Sequence, residues 1–378
     1  MRVGLIVYES LEQTSGGYLY DRKLAQHLRA AGHEVVVFPQ PERPYPWRLL
    51  DAFDRPFWQR LADADLDVLV QDELNHASLA LGNRWLRRHA DYPVVAIVHH
   101  LRASEPGSRL ARWASRQVEA AFLSTVDAVI LNSRTTHRNV RGLLKKPNQI
   151  PTVVARPSGR RFGTPLTADD VAERGHTGDL RILFLGNVIP RKRLHLLLAG
   201  LSRLPADGWT LDVAGSLTAH GRYARRIRRD VAALPDPTRV RLHGRVDDTT
   251  LQSLLRSAHT LAVPSAYEGY GIVYLEAMGH GLPVLASPHG GVCEIVSDGD
   301  TGSFVETAAD VHETLRQWMM DRDRLVSMGQ AALEAYLRSP TWQETGDRIT
   351  AFLERLVANG QDERDRRSTD ASGAPGSG

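Results

Sequence analysis

Cysteine is almost absent from this sequence: Cys293 is the only one in 378 residues. That excludes an internal disulfide framework and fits a reducing cytoplasm. With no motif around it to activate a thiol, Cys293 reads as a small packed residue. Long apolar runs are missing too. The run at the start, Val3 to Val7 with Gly4 inside it, is too short for a signal peptide or a membrane span and reads as a first buried strand. There is no GxGxxG, no P-loop, no HExxH, no GxSxG and no spaced Cys/His set. Dinucleotide binding, Walker-type phosphate binding, zinc hydrolysis and elbow-serine hydrolysis all lose their usual carriers.

What is present is an ordinary soluble composition, 42% apolar and 24% charged, in a chain long enough for two domains. The net charge of +3 is unevenly spread. Segment 102–146 holds nine Lys and Arg against Glu105, Glu119 and Asp127. A basic face attracts polyanions or anionic lipid, and a merely solvated face is the plain alternative.

Strand-like and helix-like runs alternate throughout, the pattern of open parallel α/β sheets. In the first half the strands are 3–7, 35–38, 68–70, 94–98, 128–131 and, more weakly, 153–154. In "YLYDRKLAQHLRAAGH" Leu19, Leu24 and Leu28 fall close to one helical face, and Gly32 supplies the stop. An irregular basic stretch, "ARPSGRRFGTPLTADDVAERGHTGD", reads as a linker. The rhythm then restarts with strands at 181–185, 211–214, 240–243, 260–263, 284–286 and 304–305. The expected division is a first domain over 1–155, a linker over 156–179, a second domain over 180–338 and an amphipathic helix over 339–359. The tail, 360–378, lacks apolar residues to bury and is expected to be disordered.

In such sheets ligands lie beyond the carboxyl ends of strands. Four strand-end loops stand out. In "LGNVIPRKRLHLLL", Lys192 sits with Arg191 and Arg193 at a helix start. Cations there oppose the macrodipole, and an anionic ligand removes the conflict. In "PSAYEGYGIVYLEAMGHGLPVLA", Glu268 precedes a Gly269-Tyr270-Gly271 turn and Glu276 follows inside a helix. Glycines admit a ligand close to the backbone, and carboxylates accept from sugar hydroxyls. In "PVVAIVHHLRASE", His99 and His100 end a buried strand, either as a polar cap or as groups lining a cleft. In "QTSGGYLYDRKL", Gly16 and Gly17 open the first helix.

Taken together these residues are recognisable. The stretch "VPSAYEGYGIVYLEAMGHGLPVLASPHGGVCEIVSDGDTGSFV" closely resembles the donor-site signature of family 4 of the retaining glycosyltransferases, GT-B enzymes with an E-x7-E motif. The likeness extends to "LGNVIPRK", "SGG", the strand-end histidine and "RPSGRRF". It implies two Rossmann-like α/β domains facing across a cleft, with the C-terminal helix crossing back to the first. By this resemblance Glu276 matches the glutamate that binds the nucleotide ribose. Glu268 matches the one facing the donor sugar, with the backbone of Gly269, Tyr270, Gly271 and Ile272 holding sugar and phosphate oxygens. Lys192 matches the diphosphate lysine and His99 the histidine near the transferred sugar, with His100 as its substitute. Gly16 and Gly17 match the acceptor-side loop, and Arg245 and Val246 lie by the base.

The chain departs from the pattern in places. Asn187 stands where the family often has Arg, so Arg191 would have to supply the missing cation. Arg193 stands where Gly is usual, Tyr270 where Phe is common, and Val292-Cys293 where a small residue or proline is frequent.

The implied activity is transfer of a sugar from a nucleotide diphosphate sugar to a hydroxyl acceptor, whether a glycan, a lipid-linked or a small molecule. It would proceed with retention and without cofactor or metal, because fixed cations take the leaving-group charge. A catalytically inactive binding subunit of the same fold is the alternative, but Glu268, Glu276 and Lys192 are all retained. A sugar-nucleotide epimerase would need GxGxxG and a Tyr-x-x-x-Lys pair. No nucleic-acid partner is expected. Segment 102–146, which mixes arginines with Leu110, Trp113 and Phe122, is a candidate peripheral contact with an anionic membrane surface on the cytoplasmic side.

Overall fold

The computed structural model describes residues 1–11, 16–41, 43, 45–144, 150–163 and 165–372. Eleven of the twelve segments read as strands lie within strands; the twelfth, read as 304–305, meets the strand Gly302–Phe304 only at Phe304, and the strands form two six-stranded sheets. The first unit spans residues 1–157 and the chain from Trp342 onward; the second spans Ser158–Thr341.

In the first unit the strands are β1 (Arg2–Tyr8), β2 (Glu34–Gln40), β3 (Val68–Asp72), β4 (Val94–Val98), β5 (Ala128–Leu131) and β6 (Thr152–Val154). They run parallel in the order β2-β1-β3-β4-β5-β6. β3, β4 and β5 are buried along their whole length, because crossover helices cover both faces of a parallel sheet. That is why these strands read as unbroken runs of Val, Ile, Leu and Ala rather than as alternating patterns.

The second unit contains β7 (Leu180–Leu185), β8 (Trp209–Ala214), β9 (Val240–Gly244), β10 (Thr260–Val263), β11 (Val284–Ala286) and β12 (Gly302–Phe304). Their order is β12-β11-β10-β7-β8-β9, again parallel. The chain leaves β7 in one direction through β8 and β9, then returns to its other side with β10. The carboxyl ends of β7 and β10 therefore flank the topological switch point, the place where open α/β sheets bind ligands.

Three expectations need correction. The stretch read as a linker, 156–179, contains a helix, Ala168–Gly175, closed by a reciprocal Thr167–Asp170 capping box. Its Val171 and Gly175 are buried, and it belongs to the second unit. Its eight residues show only two inward positions, too few for a periodic signal among the surrounding Gly and Pro. The last helix, Trp342–Ser372, does not stop near 359 but runs on through the expected disordered tail. Gln361, Glu363 and Arg364 are residue types that favour helix by intrinsic propensity. Residues 373–378 of that tail lie outside the described residues. Cys293 is exposed rather than packed, because Val292 beside it takes the inward position of the short helical turn Gly291–Glu294.

The expectation that the C-terminal helix returns to the first domain agrees with the structure. Ile349, Phe352, Leu353 and Val357 join the core formed by Leu5, Val70 and Leu24.

Candidate active site

The loops after β7 and β10 bring three charged groups of the second unit together. Lys192 Nζ lies 2.7 Å from Glu268 Oε1, and Arg191 NH1 lies 3.2 Å from Glu268 Oε2. Arg191 also donates to the Tyr267 carbonyl at 2.7 Å, while the Ala266 amide donates to the Arg191 carbonyl at 2.8 Å. The two loops are thus stitched side to side, and Lys192 and Glu268 are both buried.

The turn at Glu268 is fixed from beneath by Gly290 and Gly291. A Cβ at either position would collide with the backbone of Glu268 or Gly269, and Gly290 holds φ +89°. The Glu268 amide donates to His289 O at 3.2 Å, and the Gly291 amide donates to Glu268 O at 2.8 Å. Glu268 is consequently held by its backbone, and its side chain is held by two cations.

Burial opposes charge on Glu268, but Lys192 and then Arg191 overcome it and hold the carboxyl down at about 2. For Lys192 burial wins and lowers the amine, against the pull of Glu268. Buried Lys192 and half-buried Arg191 thus flank one carboxylate, an arrangement suited to receiving an anion.

Asn187 lies in the same loop, with its Oδ1 accepting from the Ser216 amide at 3.2 Å. It braces the loop after β7 against the loop after β8. Arg191, the residue named to replace the missing family cation, reaches Glu268 alongside Lys192. Arg193 has φ +51° and ψ +37°, the left-handed region. This is the position where the resemblance leads one to expect Gly, and the backbone keeps the glycine conformation with an arginine in it.

Glu276 is buried in the helix Ile272–Met278, entered through Gly271 at φ +100°. Tyr270 and Ile272 are buried in the same turn. The Glu276 carboxylate does not join the Lys192 group; its Oε1 lies 3.5 Å from Arg161 NH1. Burial pushes Glu276 up to about 7, with Arg161 acting against the rise. Arg245 is exposed and Val246 half-buried in the loop after β9, immediately before the helix Asp248–Ser257.

In the first unit a second buried group forms at the ends of β3 and β4. His99 Nε2 lies 3.1 Å from Asp21 Oδ1 and 4.0 Å from Asp72 Oδ1, all three nearly inaccessible. The His99 ring meets Tyr20 edge-on at 5.2 Å, and its carbonyl accepts from Asn132 Nδ2 at 2.6 Å. Burial alone would strip the imidazole of its proton. Asp21 and Asp72 reverse that and raise it to about 9, while burial and the Asp21 charge push Asp72 well up. His99 is therefore an imidazolium at neutral pH.

Gly17, in the first turn of the helix Gly16–Ala30, faces this ring; a Cβ there would lie 3.2 Å from His99 Cδ2. Ser15 of the "SGG" turn lies outside the described residues. His100 turns aside to Glu105, 3.0 Å away.

Asp21, Asp72 and Arg161 were not singled out from the sequence. Asp21 left a signal: it lies three and seven residues before Leu24 and Leu28, on the apolar stripe of its helix. A metal was not expected either. Among the described residues two triads do carry ligand-type atoms within 4.8 Å of one another, Asp21/Asp72/His99 and Glu73/His76/Glu119. In both, an imidazole nitrogen is already paired with a carboxylate.

Comparison with known proteins agrees with the architecture and the motifs. The family model for glycosyl transferases group 1 matches residues 168–335, and that for glycosyltransferase family 4 matches residues 20–156. The chain is 25% identical to an MMP alpha-(1->4)-mannosyltransferase of Mycolicibacterium hassiacum, over 95% of this chain and 99% of the relative. It is equally 25% identical to a phosphatidyl-myo-inositol mannosyltransferase of Mycobacterium leprae, over 95% and 98% of the two chains. Its fold matches that of Anabaena HepE in complex with UDP-glucose, at TM-score 0.74 and 16% identity, over 94% of this chain and all of the other. Two Rossmann-like domains together with these family matches identify a GT-B glycosyltransferase. The chain belongs to family 4 of the glycosyltransferases.

Proposed function

We propose that the protein moves a sugar from a nucleoside diphosphate sugar to a hydroxyl acceptor, with retention of anomeric configuration and without a divalent metal. The observation that carries this reading is the buried Lys192–Glu268–Arg191 group beside the switch point of the second sheet. As the bond from the anomeric carbon to the diphosphate breaks, negative charge grows on the departing oxygen. Lys192 and Arg191 are already fixed, so stabilising that charge needs no reorganisation. A divalent ion would duplicate their work.

Glu268 keeps both cations in place and faces the sugar. The backbone of Gly269–Ile272 takes sugar and phosphate oxygens, Glu276 the ribose, and Arg245 and Val246 the base. The UDP-glucose bound by Anabaena HepE supports a nucleotide-sugar donor in this fold. We assign the acceptor to the first unit, with Gly16, Gly17 and His100 on its loop, and we assign the His99 imidazolium a hydrogen bond to the sugar being moved.

A lipid-linked acceptor at an anionic membrane surface has its own support. In the helix Arg109–Leu123 the first six residues are exposed, including Leu110 at 74% and Trp113 at 61%, interleaved with Arg109 and Arg112. Exposed large apolar side chains among arginines suit a headgroup boundary. The relative from M. leprae is named for a phosphatidyl-inositol substrate. Lys145 and Lys146 of the basic segment lie outside the described residues. Among the described residues no helix is long and apolar enough to cross a membrane.

Turnover of a nucleotide sugar with EDTA present, followed by proton NMR of the first product, tests the main reading. The new glycosidic bond should carry the donor's anomeric configuration. An inverted product, or activity restored only by added Mg²⁺ or Mn²⁺, would contradict it.

A further inference from the structure

Arg161 is part of neither the Lys192 group nor any motif of the donor loops, yet it is the cation at Glu276. Its backbone is placed by Gly159. A Cβ on that glycine would run into Leu275 and into the backbone nitrogen of Glu276 at 2.9 Å, so segment 158–162 lies flush on the helix Ile272–Met278. Ser158 is fully buried and its Oγ accepts from the Arg160 amide at 3.1 Å, while the Arg161 amide donates to Gly159 O at 2.9 Å. The Arg161 guanidinium lies over the Phe162 ring at 5.2 Å, and that ring meets His280 edge-on.

From this fixed base Arg161 reaches two carboxylates. NH1 contacts Glu276 Oε1 at 3.5 Å, and NH2 makes a short ion pair with Asp248. Asp248 opens the helix that follows Arg245 and Val246. One guanidinium thus joins the carboxylate assigned to the ribose with the helix behind the loop assigned to the base.

We propose that Arg161 is a positioning residue of the donor site, which holds the Glu276 carboxylate ready for the ribose diol and locks it in register with the base-reading loop. The inference rests on the ribose role given to Glu276 above. Its chemical logic is that two ribose hydroxyls can donate to a carboxylate, whereas a protonated carboxyl offers one fewer acceptor site. The groups facing Glu276 are Arg161, which lowers it, and Asp248, which raises it. His280 Nδ1 lies 2.9 Å from the Glu276 carbonyl, and Tyr336 feels the Glu276 charge from the helix Arg322–Leu337. Arg161 is the cation among them, and without it burial would leave the carboxyl protonated at neutral pH.

The test is binding of UDP, 2′-deoxy-UDP, GDP and 2′-deoxy-GDP to the full chain by calorimetry, from pH 5.5 to 8.5, in wild type, Arg161→Met and Arg161→Lys. In wild type the better-bound ribonucleotide should exceed its 2′-deoxy form at pH 8 and lose that advantage as pH falls through about 7. In Arg161→Met the loss should begin about one pH unit or more higher, so that discrimination at pH 7 collapses. Arg161→Lys keeps the charge and should recover most of it. Equal binding of ribo and deoxy forms to wild type at pH 8 would overturn the ribose reading, and this inference with it. Discrimination in wild type that Arg161→Met leaves unchanged, in size and in pH midpoint, would overturn the role of Arg161 alone. Circular dichroism of each variant separates either result from misfolding, and an unfolded Arg161→Met leaves Arg161→Lys and Arg161→Gln to decide it by the same midpoint.

Discussion

At His99 a buried imidazole keeps its proton because Asp21, 3.1 Å away, outweighs the cost of burial. The sign follows directly. A histidine raised to about 9 contributes stability that is complete below its unfolded value near 6.5 and is lost as pH rises through about 9. Asp21→Asn removes the opposing charge, so the His99 ring should titrate well below 9, at or under the ordinary value, when followed by NMR of its Cε1 proton. The loss of stability between pH 7 and 9 should flatten with it. A ring that still titrates near 9 would show that Asp72 and Glu73 suffice to hold the charge. Arg193 is the other residue whose backbone makes a prediction. A left-handed conformation costs a residue with a Cβ about 1–2 kcal/mol, while glycine gives back about 0.5–1 kcal/mol in chain entropy. Arg193→Gly should therefore raise stability by zero to about 1.5 kcal/mol, read as the denaturation midpoint in urea. A loss of more than about 1 kcal/mol would show that the Arg193 side chain has contacts worth more than the strain.

Among the elements, the helix Arg109–Leu123 is amphipathic in an unequal way. Its second half buries Ser115, Glu119, Phe122 and Leu123, and its first half is bare. Such a helix is anchored at one end and offers Leu110 and Trp113 at the other. If that end meets lipid, the chain should float with vesicles containing anionic phospholipid at low salt. It should detach as salt rises, since each basic residue near the surface contributes about 1 kcal/mol of screened attraction. Replacing both Leu110 and Trp113 by Glu should abolish flotation and leave the circular dichroism spectrum unchanged. Flotation that survives the double substitution would move the contact elsewhere. The shorter elements show where sequence patterns run out. Helix Ala168–Gly175 has only two buried positions, and its capping box, Thr167 with Asp170, ends in Asp rather than the usual Glu or Gln.

In the whole molecule, the central strands were legible because parallel strands buried on both faces show as dense apolar runs, whereas the edge strand Gly302–Phe304, with the sequence GSF, was placed two residues late. The loops after β7 and β10 were legible for a different reason. Their glycines and charges stand directly after such strands, and the geometry brings Lys192, Arg191 and Glu268 of the two loops together. What escaped the sequence were partners distant along the chain. Asp21 and Asp72 reach His99 from 78 and 27 positions away, and Arg161 reaches Glu276 across 115. No local periodicity encodes such meetings, and only the sheet order and the packing of segment 158–162 bring them about. The central claim is the proposal that the second unit binds a nucleotide sugar through Lys192 and Glu276. The most direct measurement is protection against thermal unfolding by UDP-, GDP-, ADP- and TDP-sugars with EDTA present, in wild type, Lys192→Ala and Glu276→Ala. One nucleotide family should raise the wild-type midpoint, and both variants should lose most of that rise. A midpoint unmoved by all four donors, or moved equally in wild type and both variants, would contradict the account.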